Sequence, residues 1–369
     1  MTNIIRLGIT VCVLLLVCAS SNAQTTDQAP LDRVISEMQA GLTEKALAAL
    51  DDLIKEYPNN PDAYFLRGSL KMQADPSQAL ADFDKVIELR PDSGPAYNQR
   101  AWLRLIKNDR SGALKDLDAA ILHDFKDDSI YYLRGQLRWE SGELNAALGD
   151  LDEALKLNPG NPRLYSTRSD LLLELKEFDR ALADLNYLIG WYETDPSARP
   201  ISKPSEGDKP KPTKAPAEAK TASKPFMVEM AQQTTNEAPG AKEMAPTIAN
   251  AYVKRGFLWR TRGNHAVAIS DFDKAVRINP ANQWALYYRA IEYEFKGELS
   301  AALADITKAI QIDSKNGDLL VEHGVLLLLL GQEKEAQADF DVLLKSDHAL
   351  WQNRIDERVA AIKKLLPPK

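Results

Sequence analysis

Four histidines, two cysteines and a recurring pair of aspartates are the residues of this 369-residue chain whose chemistry has to be weighed first. His123, His265, His323 and His348 lie far apart, and none pairs with a cysteine or falls in an HExxH pattern. The sequence holds no GxSxG, no GxxxxGK[ST], and no GxGxxG at a strand-to-helix turn, so nucleophile elbows and phosphate loops find no support. Aspartates recur two apart, as Asp82/Asp84, Asp116/Asp118, Asp150/Asp152, Asp271/Asp273 and Asp339/Asp341. Such pairs could suggest calcium. On a helix, though, residues two apart point in different directions and form no compact oxygen cage. The expectation is a protein that is not an enzyme, with no catalytic residue, no metal and no cofactor. The opposing reading, an enzyme or small-ligand receptor, needs a site assembled from the scattered histidines.

Cys12 and Cys18 are the only cysteines, and both fall in the first 20 residues. Residues 1–23 read as a secretion signal: Arg6 is the positive end, Leu7 to Ala19 an apolar run, and Ser21-Asn22-Ala23 a small-residue cleavage site. The run is short for a membrane span, which needs about 20 residues. Two alternatives stay open: an uncleaved anchor, and a lipid on Cys18, against which Val17 stands where a small residue is wanted. Cleavage after Ala23 leaves no cysteine, and the loss of Arg6 takes the formal charge from -7 to -8. That charge argues against a nucleic-acid partner bound by a basic surface.

The elements that position side chains repeat. Similar segments open on Ala46, Ala79, Ala113, Ala147, Ala181, Ala268, Ala302 and Ala336, with gaps of 33, 34, 34, 34, 87, 34 and 34. A second series precedes them: Tyr64-x-x-Arg67-Gly68, Tyr97-x-x-Arg100-Ala101, Tyr131-x-x-Arg134-Gly135, Tyr165-x-x-Arg168-Ser169, Tyr252-x-x-Arg255-Gly256, Leu286-x-x-Arg289-Ala290 and Leu320-x-x-His323-Gly324. Both series place one deletion between Gly68 and Ala79 and one insertion after the fifth unit. Apolar residues three and four apart, as at Ala147, Leu148, Leu151, Ala154 and Leu155, make each unit two short helices. Turn signals such as Ser141-Gly142 and Arg262-Gly263 part the two helices, and Asn158-Pro159 and Asn279-Pro280 end units. The small residues after the arginines allow the helices to approach closely.

This pattern resembles the tetratricopeptide repeat family over residues 27–193 and 248–348, about 270 of 369 residues. The resemblance implies an all-α fold, a right-handed α-solenoid of about eight helix-turn-helix units. Its first unit lacks the tyrosine and glycine, and Phe125, Glu193, Ser314 and His348 replace unit-ending prolines. Residues 349–369 are expected to form a C-terminal capping helix and tail, with Leu350, Ile355, Val359, Ile362 and Leu366 covering the last apolar face.

Residues 194–247 interrupt the period. Nine of the 20 prolines lie between Pro196 and Pro246, with almost no aromatics. Such a segment buries too little apolar surface to offset chain entropy, so it is expected to be a disordered linker. Pro225-Phe226-Met227-Val228-Glu229-Met230 within it is either a short docking motif or a slightly apolar stretch. Because the phase is kept on both sides, the flanking units are expected to stack directly; two separate, mobile arrays are the alternative.

Arg67, Arg100, Arg134, Arg168, Arg255 and Arg289 recur on first helices, and Asp82, Asp116, Asp150, Asp184, Asp271, Asp305 and Asp339 on second helices. They are expected to join in ion pairs or carboxylate–backbone contacts within or between units. A partner-facing charged strip is the alternative. His323 sits in the arginine slot and is expected to be structural.

The resemblance further implies that first helices line a concave groove, reached by side chains one and five residues after the lead tyrosine and a turn beyond. These positions are Phe65, Asn98, Trp102, Tyr132, Gln136, Trp139, Asp170, Val253, Phe257, Arg260, Tyr287, Ile291 and Phe295. The Lys/Asn clamp that some members use on a C-terminal carboxylate does not fall on matching residues. The expected function is a non-enzymatic scaffold whose groove binds a protein or peptide partner, exported to a bacterial periplasm or cell envelope, or secreted. The other reading is a lipid-tethered envelope assembly factor, touching membrane only through an uncleaved signal or a lipidated Cys18.

Overall fold

The computed structural model describes residues 28–194 and 241–363. The signal, both cysteines and Pro225 to Met230 lie outside the described residues. The described residues up to Pro159 form one compact unit, and those from Gly160 onward a second.

The first unit holds α1 (Gln28–Gln39), α2 (Thr43–Glu56), α3 (Pro61–Lys71), α4 (Pro76–Leu89), α5 (Gly94–Ile106), α6 (Arg110–Leu122), α7 (Asp128–Glu140) and α8 (Leu144–Leu157). The second holds α9 (Pro162–Glu174), α10 (Phe178–Glu193), α11 (Ala241–Thr261), α12 (His265–Ile278), α13 (Gln283–Phe295), α14 (Leu299–Ile312), α15 (Gly317–Leu329), α16 (Glu333–Ser346) and α17 (His348–Lys363). Among the described residues these are eight helix pairs and one last helix, with no strand. The period in the sequence is therefore a period in the fold, an α-solenoid of helix-turn-helix repeats.

Local chemistry sets the boundaries. Asn60 accepts from the backbone N–H groups of Asp62 and Ala63, with Pro61 at the first helical position. Asn161, Asn282 and Asn316 cap α9, α13 and α15 in the same way. Each cap satisfies a donor that a helix start leaves free. Seven of the eight turns inside pairs hold a residue at positive φ, five glycines with Asn108 and Lys176. The exception is the turn between α3 and α4, which is where the sequence lost one residue: a left-handed step is missing there, while Asp75 caps α4 as Asp109 caps α6.

The pairs are held closed at the small residue after each arginine. A side-chain carbon on Gly68 would meet the Phe83 ring at 3.1 Å, and one on Gly135 the Ala147 carbonyl at 3.2 Å. The alanines that open second helices, Ala79, Ala113, Ala147, Ala181, Ala268, Ala302 and Ala336, are all wholly buried.

The repeated arginines and aspartates form a ladder. Each arginine grips the aspartate of its own second helix through two guanidinium nitrogens: Arg67 with Asp82 at 3.0 and 2.6 Å, Arg100 with Asp116 at 2.9 and 2.7 Å, and Arg255 with Asp271 at 2.8 and 2.7 Å. Arg134 and Asp150, Arg168 and Asp184, and Arg289 and Asp305 repeat the contact. The remaining nitrogen reaches back to the preceding second helix: Arg67 to Asp51 at 2.8 Å, Arg100 to Asp84 at 2.7 Å, Arg134 to Asp118 at 2.8 Å, and Arg289 to Asp273 at 2.8 Å. This explains the aspartates two apart: one closes its own pair, the other holds the next. His323 keeps both contacts, with Nδ1 2.7 Å from Asp339 and Nε2 3.2 Å from the Thr307 hydroxyl. The lead tyrosines lie beneath the guanidiniums, with Arg134 5.6 Å from the Tyr131 ring centre. Where Leu286 takes the tyrosine's place, Tyr293 supplies the ring for Arg289 at 5.7 Å.

One boundary differs from expectation. α11 begins at Ala241, inside the stretch read as linker, and carries Pro246 within it. Other first helices begin three residues before the lead tyrosine, whereas α11 begins eleven before Tyr252. Met244 and Ile248 are buried, so the extension has an apolar face that the proline-rich composition concealed. α11 also packs on α10. The Tyr252 hydroxyl donates to Glu193 at 2.5 Å, Arg255 donates to Asn186 at 3.0 Å, and Lys274 pairs with Glu193 at 2.7 Å. Glu193, the odd residue at a unit end, is thus the acceptor that joins the fifth and sixth pairs. Lys274 first and Tyr252 second hold its carboxyl below the usual range. The last helix, α17, lies against α15 and α16, with Ile355 in a core of Val321, Val325, Phe340 and Leu343.

Candidate partner-binding face

Six of the groove candidates fall in the first unit and seven in the second. In the first unit they sit on α3, α5 and α7. Phe65 is 7% exposed and meets Phe83 edge-on at 5.6 Å. It is core, not groove: in α3 the position after the tyrosine turns toward the second helix. Asn98, Trp102, Tyr132, Gln136 and Trp139 are all half-buried. Trp102 packs on the cluster around Ala101, Leu117 and Leu133. Gln136 donates to the Tyr132 hydroxyl at 2.8 Å, so these two form one polar contact on α7. The Asn98 side-chain oxygen is buried without a hydrogen-bond partner in the structure.

In the second unit the candidates sit on α9, α11 and α13. Asp170 pairs with Lys254 of α11. Val253 is 7% exposed and, like Phe65, belongs to the core. Phe257 meets Tyr288 at 5.5 Å, and Tyr287 meets Trp284 and Tyr288 at 6.2 and 5.3 Å. Burial pushes the Tyr287 and Tyr288 phenols above their ordinary values. Ile291 is half-buried. Phe295 is 67% exposed, its ring stacked on His265 at 4.3 Å.

Arg260 is fixed in place. Its Nε lies 2.8 Å from Glu292, a carboxylate only 1% exposed, whose other oxygen lies 2.7 Å from His265 Nδ1. A carboxylate this deep needs partners: His265 meets one oxygen at hydrogen-bond distance, and Arg260 faces the other as an ion pair without an aligned hydrogen bond. The second unit thus places a cluster of rings, Trp284, Tyr287, Tyr288 and Phe257, on the helices that also carry Arg260 and the exposed Phe295.

The sequence reading missed Trp284 and Glu292. Trp284 stands two residues before the lead Leu286, outside the spacing used, yet it is 50% exposed. Glu292 falls between groove positions, and only the neighbouring helices reveal its burial. His323, expected to be structural, serves the ladder, and His123 stacks on Tyr97 at 5.7 Å. Among the described residues, no group of three histidine, cysteine, aspartate or glutamate side chains could hold a metal ion, and no helix is long and apolar enough to cross a membrane.

The geometry defines the class first: paired antiparallel helices repeated along the chain, with side chains of the first helices left at a surface. The family follows from the comparisons. Three family models, each described as tetratricopeptide repeat, match residues 31–73, 62–93 and 138–199. The chain carries tetratricopeptide repeats across residues 31–199. Among solved structures it is similar to YrrB, described as a TPR protein with an unusual peptide-binding site, at 18% identity and TM-score 0.47, over 65% of this chain and 97% of that one. It is similar to PilF of Pseudomonas aeruginosa at 15% identity and TM-score 0.49, over 73% and 99%. It is similar to a tetratricopeptide repeat protein of Parabacteroides merdae at 15% identity and TM-score 0.43, over 84% and 98%. No curated protein matches the sequence. Proteins of this family are in general scaffolds for protein interactions, without chemistry of their own.

Proposed function

We propose that the protein is a non-enzymatic scaffold that binds a peptide or an extended protein segment on the first-helix face of its second unit. The observation that supports this best is the pair Trp284 and Phe295, large rings left 50% and 67% exposed on one helix, with Phe295 stacked on the His265 that shares Glu292 with Arg260. Clustered exposed aromatics are a frequent mark of binding surfaces, and a few such anchors carry most of the affinity. The peptide's apolar side chains lie against Trp284, Tyr287 and Phe295, and Arg260 meets an acceptor of the peptide.

The test is in-cell crosslinking and recovery of partners by wild type and by Trp284→Ala/Phe295→Ala. Recovery is expected to fall about tenfold or more, the consequence of losing about 1.4 kcal/mol or more of anchor energy. Equal recovery of the same partners by both proteins overturns the assignment.

The residues at the start of the chain support an exported protein, in a bacterial periplasm or cell envelope. Mass spectrometry of the mature N-terminus is expected to find a free end at Gln24. A lipid on Cys18 would replace this reading with that of a membrane-tethered envelope factor.

A further inference from the structure

Among the side chains described, the last helix meets the second unit through a short apolar contact flanked by charge. Along α17 only Ile355 is described as buried, while Trp351 and Val359 are partly covered and Leu350 is half exposed. The Trp351 ring lies where a side-chain carbon on Gly317 would have to sit, which seats α17 on the start of α15. Around this small apolar contact stand two arginines. Arg354 pairs with Asp318. Arg358 Nε donates to both oxygens of Glu322 at 2.9 and 2.8 Å, and its Nη2 donates to Glu294 at 2.5 Å.

Those two carboxylates belong to different first helices, Glu322 to α15 and Glu294 to α13. A helix that merely closed the final pair would touch α15 and α16. Arg358 instead reaches back to α13, to the residue beside the exposed Phe295. Both glutamates are 12% exposed with Arg358 seated between them. Burial pushes the Glu322 carboxyl above its ordinary value even so, while Arg358 opposes the shift and Glu294 and Asp318 add to it. Two desolvated carboxylates on adjacent helices require a cation, and the chain supplies one from its own last helix.

We propose that Glu294 and Glu322 form a docking site for an arginine-bearing amphipathic helix of a partner, and that α17 occupies it in the resting chain as an exchangeable strap. The occupant's chemistry is read from α17 itself: a large aromatic, an aliphatic residue four further on, and an arginine three beyond that, as in Trp351, Ile355 and Arg358. These fall on one helix face. An attachment with a small apolar contact opens locally before its neighbours unfold, and the half-exposed Arg354–Asp318 pair beside it weakens with salt. The inference rests on the reading of the first-helix face as a binding surface, but it uses different residues.

The probe is a fluorescently labelled peptide with the sequence of residues 348–363, titrated by anisotropy into the full chain. Ile355→Asp, which detaches α17, is expected to bind the probe about tenfold or more tightly than wild type, whose site is filled. Adding Glu294→Gln/Glu322→Gln to that variant is expected to abolish the gain, as is a probe whose Arg358 is glutamine. In wild type, α17 amides are expected to exchange about a hundredfold faster than those of α15 and α16. Equal probe binding by wild type and Ile355→Asp, or no binding by either, overturns the proposal; so does exchange in α17 as slow as in α15, which makes it a permanent cap. If Ile355→Asp removes exchange protection from α15 and α16, Arg354→Gln/Arg358→Gln takes its place, with the same expected gain and the same overturning results. Loss of partner capture by Trp284→Ala/Phe295→Ala, with probe binding intact, separates failure of this inference from failure of the aromatic face.

Discussion

Arg255→Met is expected to destabilise the second unit by about 3 kcal/mol, measured by urea unfolding. Asp271 is the reason. Its side chain is 3% exposed, and Arg255 is the partner that grips both of its oxygens. Removing the guanidinium leaves a desolvated charge, a far larger loss than the roughly 0–1 kcal/mol of an exposed pair. Methionine keeps much of the side-chain volume, so the change reads charge more than packing. The double variant Arg255→Met/Asp271→Leu is expected to recover most of the loss, because no buried charge is then stranded. Arg134→Met is expected to cost less, since Asp150 keeps Arg138 at 2.8 Å. If Arg255→Met unfolds like wild type, the ladder is not a stabilising element.

Phe272→Ala is expected to cost about 3–5 kcal/mol, the range for removing a wholly buried ring. Phe272 is 0% exposed, lies against Tyr288 at 5.8 Å, and fills the space that Gly256 leaves open. A side-chain carbon on Gly256 would come within 2.7 Å of that ring. The ring and the glycine are therefore one feature: the helix pair closes only because one residue is large and the other has no side chain. Because each pair touches chiefly its neighbours, the loss is expected to appear first as faster amide exchange in α11 and α12. Uniform exchange across the second unit, with unchanged unfolding, would contradict this.

Much of this fold is legible in the sequence because a repeat writes its contacts eight times over. The 34-residue spacing, the arginine and aspartate series and the small residue between them each recur in register, and each meets a matching contact. The direction of the second aspartate is less legible, since periodicity cannot distinguish a contact inside a pair from one between pairs. Side-chain rotation is less legible again. Phe65 and Val253 share the position of Tyr132 and Tyr287, yet the first two are core and the last two half-buried. The side chains packed around each position decide this, and the repeat position alone does not encode them. The start of α11 was hidden for another reason: a proline five residues into a helix argues for a break, whereas burial of Met244 and Ile248 outweighs it.

The junction of α10 and α11 has a consequence for how the chain could be cut. Tyr252, Arg255 and Lys274 meet Glu193 and Asn186 across the two helices, and all five residues lie outside the 46 residues from 195 to 240. A covalent link between docked elements raises their effective concentration, and the contacts named above are made wholly by residues that lie outside that stretch. Two separately expressed fragments, divided within that stretch, carry complementary surfaces and would reassemble as a heterodimer, which makes this junction a natural place to split the protein into a two-part reporter.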